Sequence, residues 1–88
     1  MDIAQRFLIL VLGRRYQMTD HALESMDEDD LTLNDVISCL SRGRVRRRWP
    51  RQRKYEIAGR AIDGCLMRAV GRLIGSRLVR IITVYAVE

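Results

Sequence analysis

Between Arg42 and Lys54, within the stretch SRGRVRRRWPRQRKYE, the chain places eight basic side chains in thirteen residues, with Val45 and Trp49 set among them and Tyr55 following. Chemistry at this density suits a polyanion, because a guanidinium is always charged and forks onto two phosphate oxygens. As a strand, Arg44 to Trp49 projects Arg44, Arg46 and Arg48 from one face and Val45 and Trp49 from the other. Trp49 and Tyr55 offer rings to unpaired bases, each stack being worth about 1–3 kcal/mol. Arg53 and Lys54 complete the expected nucleic-acid surface. If roughly four of these charges met single-stranded phosphates, log K against log salt would slope by about −3. The plain alternative is a solvated edge strand whose charges block edge-to-edge pairing.

Two further positions invite chemistry. His21 follows the helix-capping pair Thr19 and Asp20, and in the first turn of a helix the macrodipole favours the uncharged imidazole that can act as a general base. A surface histidine without a role is the plain reading. Arg80 interrupts Leu78, Ile82 and Val84 on the last apolar segment, where a solitary charge must find a partner or a cleft. By alternation Thr83 and Tyr85 point away from Arg80 unless a bulge intervenes. Arg68 sits in a similar place between Leu66 and Val70, with Asp63 or Glu56 as partners for either arginine. The run Asp27 to Asp30 radiates its carboxylates instead of converging them, and His21 is the one histidine beside two widely spaced cysteines, so no metal site or cofactor is expected.

Eighty-eight residues allow one domain, 1–88, with a single modest core. The net charge is +5, and of the sixteen basic residues Lys54 is the one lysine. Charge is segregated: seven acidic residues lie between Asp20 and Asp35, ahead of the basic block, which makes the molecule electrically lopsided. Phe7 to Leu12 is too short for a membrane span and lacks the surroundings of a signal peptide, so a cytoplasmic location is expected, with Cys39 and Cys65 as buried thiols.

The elements that must position these residues are helices first and strands second. Ile3 to Leu12 carries Ile3, Phe7, Leu10 and Val11 on one helical stripe, although so apolar a run also suits a buried strand. A second helix from Ala22 to about Glu28 buries Ala22, Leu23 and Met26. Thr32 with Asp35 forms a capping box for a third, which Gly43 ends. Thereafter the pattern is of strands: Arg44 to Trp49, stopped by Pro50; Arg53 to Gly59; an Asp-Gly turn at Ile62 to Gly64; Cys65 to Gly71; a turn in LIGSR; and Leu78 to Val87. The reading is an α+β domain with N-terminal helices packed on a four-stranded antiparallel sheet.

Three stretches, YQMTDHALESM from Tyr16, GRAIDGCLMRAV from Gly59 and VRIITVY from Val79, together resemble the bacterial family known as domain of unknown function 4258, from about Tyr16 to the C-terminus. That family is similar to the RelE, ParE and BrnT toxins. The resemblance implies a RelE-like fold and a metal-independent endoribonuclease of a toxin–antitoxin pair, which drives a ribose 2′-hydroxyl onto the neighbouring phosphate. It implies His21 as base or acid, Arg80 as phosphate stabiliser and Tyr85 as an alternative acid or stacking residue. The family pattern has arginine at Ser25, and arginine then glycine at Asp29 and Asp30, so two cations near the histidine are replaced here. Losing one such donor costs about 10²- to 10³-fold in rate.

The partners expected are RNA or the ribosome and an antitoxin protein, with no membrane. Two alternatives stand beside the nuclease: a non-catalytic nucleic-acid- or ribosome-binding module, and a homodimer or other interaction protein assembled through the apolar N-terminal segment.

Overall fold

The computed structural model describes residues 2–87. Helix α1 spans Ile3–Leu12, strand β1 Tyr16–Met18, α2 Asp20–Glu28 and α3 Leu33–Arg42; β2 is Arg44–Trp49, β3 Lys54–Arg60, β4 Leu66–Ile74 and β5 Leu78–Ala86, with a 3₁₀ turn at Pro50–Gln52 between β2 and β3. Each helix begins on a side-chain cap. Asp2 and Gln5 form a capping box on α1, Thr32 and Asp35 another on α3, and the Thr19 hydroxyl oxygen accepts from the Ala22 amide at 3.0 Å.

The sheet has five strands in the order β1-β5-β4-β3-β2, and it is mixed. This corrects the expectation of four antiparallel strands: Tyr16–Met18 adds a fifth, parallel to β5, through Tyr16↔Val79 to Met18↔Ile81. Three residues carry too little alternation to register as a strand, and the parallel pairing spans more than sixty positions of sequence. The β2–β3–β4–β5 meander is antiparallel throughout.

All three helices lie on one side of the sheet. Phe7, Val36, Cys39, Leu40, Ile57, Met67, Val79, Ile81 and Val84 are its fully buried centre. Phe7 rests above Gly71 and meets Tyr55 edge-on, with centroids 6.1 Å apart. Where α3 crosses β3, a Cβ on Gly59 would lie 2.4 Å from the Cys39 carbonyl oxygen, so only glycine lets the two backbones approach. Leu23 is 52% exposed and not part of the core, because α2 turns only Ala22 and Met26 fully inward. Cys39 is buried, and burial pushes its thiol up to about 11 against the lowering effect of Arg68. Cys65 is exposed, contrary to the buried thiol expected, because it closes the β3–β4 turn with its amide on Asp63. Most of the apolar N-terminal segment is core, leaving Ile9 and Leu12 as its exposed apolar side chains. No helix among the described residues is long and apolar enough to cross a membrane.

Two β-bulges decide what each face carries. Between Val45↔Ile57 and Arg47↔Glu56, β2 holds one extra residue, Arg46; between Gly71↔Ile81 and Val70↔Thr83, β5 holds one extra residue, Ile82. An inserted residue reverses the alternation beyond it.

Candidate nucleic-acid interface

With the bulges counted, the side of the sheet away from the helices is organised in cross-strand rows. Arg44, Ala58, Arg68 and Tyr85 form one; Arg47, Glu56, Val70 and Thr83 the next; Trp49, Lys54, Arg72, Arg80 and Gln17 the third, crossing all five strands. With the bulged Arg46 added, these three rows bear seven cations, Arg44, Arg46, Arg47, Lys54, Arg68, Arg72 and Arg80, around one carboxylate, that of Glu56.

Glu56 is 5% exposed and fully engaged. Its Oε2 receives Arg46 at 2.9 Å and lies 3.6 Å from Arg68 and 4.0 Å from Arg47, while its Oε1 accepts the Tyr85 hydroxyl at 2.9 Å, reaching over β4. Burial alone would raise the Glu56 carboxyl, but the hydrogen bonds from Arg46 and Tyr85 and the charges of Arg46 and Arg47 outweigh it and hold the carboxyl below its ordinary range. Burial, followed by the hydrogen bond to Glu56, pushes the Tyr85 phenol above its ordinary value. At neutral pH the pair is therefore a carboxylate and a protonated phenol. A carboxylate so held is a poor proton acceptor; it holds Arg46 and the protonated Tyr85 phenol in place.

The bulges also re-sort the residues singled out in the sequence. Arg44 and Arg46 lie on the open face as expected, but Arg48 pairs with Tyr55 on the helix side, which corrects its placement with them. Val45 and Trp49 are likewise on opposite faces, and Tyr55, packed against Phe7, is committed to the core instead of being free to stack on a base. Trp49 is half-buried with the Lys54 ammonium 4.5 Å from its ring centroid, a cation–π contact that leaves both on the open side. Arg53 occupies a left-handed turn position, φ 52°, and is exposed.

On β5, the Ile82 bulge brings Arg80 and Tyr85 to the same face, which strict alternation forbids. The Arg80 Nε donates to Gln17 Oε1 at 3.3 Å. The bulge is stapled by Thr19, whose hydroxyl donates to the Ile82 carbonyl at 2.8 Å and whose amide donates to that of Ile81 at 3.0 Å. The same threonine caps α2, so the start of the helix carrying His21 is fixed to the bulge. His21 is exposed and stands one turn before Ser25 on one stripe of α2. Ser25 Oγ lies 3.2 Å from Thr83 Oγ1 at the margin of the open face, and Asp29 accepts from the Ala86 amide at 2.8 Å. Ser25 and Asp29 thus tie α2 and its C-cap to β5. Among the described residues, His21 shares no hydrogen bond or ion pair with the Glu56 cluster, and no group of three metal-ligating side chains occurs.

Sequence reasoning passed over Arg47 and Arg72, and cast Glu56 merely as a partner for an arginine. One signal was available: Glu56 is the sole acidic residue between Asp35 and Asp63, across the most basic part of the chain.

Residues 18–86 match the model of the family described as domain of unknown function DUF4258, and the chain belongs to that family. A solved structure with this fold is the Brucella abortus ribonuclease toxin BrnT, at TM-score 0.61 and 12% sequence identity over 83% of this chain and 95% of that one. The likeness is one of fold. No curated protein matches the sequence.

Proposed function

We propose that the open face of the sheet binds single-stranded RNA and that the domain is a toxin-type, metal-independent endoribonuclease. The observation that carries this reading is the gathering of seven cations around the Tyr85–Glu56 pair on one uncovered face. The fold shared with a ribonuclease toxin supports it. In the proposed reaction Arg46 and Arg68, held by Glu56, flank the scissile phosphate and stabilise the charge that develops on it. Tyr85 donates its proton to the departing 5′-oxygen, His21 accepts the 2′-hydroxyl proton, and Arg80 binds a neighbouring phosphate. Trp49 at the far end of the third row receives a base. A toxin of this kind implies an antitoxin that covers the same face.

A second reading, RNA binding without cleavage, is favoured by the lack of contact between His21 and the Glu56 cluster and by the structural use of Ser25 and Asp29. Incubating total RNA in EDTA with the purified protein and with its Tyr85→Phe and His21→Ala forms separates the two. Cleavage lost in either variant supports the nuclease; intact RNA that is nevertheless bound by the wild-type protein selects the second reading.

A further inference from the structure

Beyond the first cross-strand row, where α3 ends against β3 and the β3–β4 turn, the surface sinks into a cleft of about 800 Å³. Arg42, Arg44, Arg60 and Arg68 line it, and among the described residues no carboxylate does. Arg42 and Arg44 enter no ion pair among the described residues, and Arg60 uses one terminal nitrogen on the Gly64 carbonyl at 2.8 Å. Arg68 is partly neutralised by Glu56. The rim is aliphatic: Ile62 is 66% exposed and Leu66 47%, two of the large apolar side chains the molecule leaves in water. The Ser38 and Ser41 hydroxyls are spent internally, donating to the carbonyls of Arg60 and Ser38.

We propose that this cleft is a site for a nucleotide bearing a phosphomonoester. An internal phosphodiester carries one negative charge, which the open face already serves. Two unpaired guanidiniums lining one cleft with two more suit a dianion, since forked guanidinium contacts to phosphate are short and strong. The exposed Ile62 and Leu66 give the sugar or base an apolar wall, a use that inorganic anions do not make of it. Arg44 and Arg68 belong to both the cleft and the open face, so a strand lying on that face ends with its terminal phosphate in the cleft. For a strand end the inference rests on the RNA reading above; for a free mononucleotide it does not.

The test is binding of the full chain to a hexanucleotide RNA carrying a terminal phosphate, to the same strand with hydroxyl ends, and to adenosine 5′-monophosphate, followed by titration calorimetry and amide chemical shifts. The terminal phosphate should tighten binding by about tenfold or more, the worth of one charge-assisted hydrogen bond, with shifts at Ala58, Gly59 and Ile62. Arg42→Gln with Arg60→Gln should erase the difference while leaving the hydroxyl-ended strand bound. Adenosine 5′-monophosphate binding with the same shifts, without a preference for the phosphorylated strand, supports the site with a free nucleotide as its ligand. Equal affinity for both strands together with no binding of the mononucleotide, shifts elsewhere, or displacement of the phosphorylated strand by poly-glutamate at equal charge would overturn it. Because Tyr85→Phe leaves the cleft intact, loss of cleavage alone and loss of phosphate preference alone report on different proposals.

Discussion

The Tyr85 hydroxyl donates to Glu56 Oε1 at 2.9 Å across the intervening strand, over Val70, which is 7% exposed. A phenol and a carboxylate from strands that are not neighbours thereby form the centre of the open face, and the arginines arrange themselves around it. Removing the carboxylate therefore has consequences that depend on pH. Glu56→Gln should lower stability at pH 7 by about 1–3 kcal/mol, the range for losing hydrogen bonds to a charged group. Because the folded carboxyl lies below its ordinary 4.5, its contribution is present above that value and lost as pH falls through the depressed one. Denaturant unfolding at pH 7 and again well below pH 4 should show the variant and the wild type converging in acid; a gap of constant size would show that Glu56 acts by packing alone.

Tyr85→Phe removes the proton and keeps the ring. With Tyr85 as the acid, RNA cleavage should fall by about 10²- to 10⁴-fold while binding to a non-cleavable strand changes little. The linkage of this group runs the other way from that of Glu56. Its raised value keeps the hydrogen bond in place below the ordinary 10.0, and the contribution to stability is lost as pH rises through the folded value. Alkaline unfolding of the wild type and of Tyr85→Phe, measured side by side, reads this directly.

Charge reversal at two arginines two residues apart should give unequal results. Arg46 lies on the open face and Arg48 on the helix side. Arg46→Glu should weaken single-stranded RNA binding and reduce the slope of log K against log salt by about 0.7, the value of one phosphate contact. Arg48→Glu should leave the slope near that of wild type, and equal losses from both would contradict the bulge.

At the crossing of α3 and β3, Gly59→Ala drives a methyl against the Cys39 backbone at 2.4 Å, an obstacle that no rotamer change removes. A destabilisation of about 1–3 kcal/mol or more is expected from such overpacking, read as a drop in the thermal midpoint. Gly64→Ala is the useful control, because no atom lies within 4 Å of its added Cβ and the cost is one of backbone strain alone at φ 90°.

The helices were legible because their caps and stripes are local signals: Thr19, Thr32 with Asp35, and the spacing of Phe7, Leu10 and Val11 all lie within a turn or two of one another. The meander was legible for the same reason, since the Asp-Gly turn and Pro50 mark its corners. What escaped was everything decided by partners far along the chain. Tyr16–Met18 is a strand only because Val79 to Ile81 lies beside it, and neither bulge leaves a mark on composition. Yet those bulges determine that Arg80 joins Tyr85 and that Arg48 leaves Arg46. The arrangement of the candidate residues was therefore misread: Arg48 leaves the open face, and Tyr55, expected to meet a base, packs against Phe7.

Strand β5 has an outer rim that β1 lines only as far as Ile81. Past that point Ser25 meets the Val84 amide at 3.5 Å and Asp29 the Ala86 amide at 2.8 Å, so side chains from α2 and its C-cap take up main-chain donors that a further strand would need. This margin is closed to sheet extension, and the opposite rim, that of β2, carries the Arg46 bulge and a run of guanidiniums, the features that blunt an edge against pairing. There Arg46, Arg47 and Arg48 set like charge against like at any approach by a second copy of the same strand.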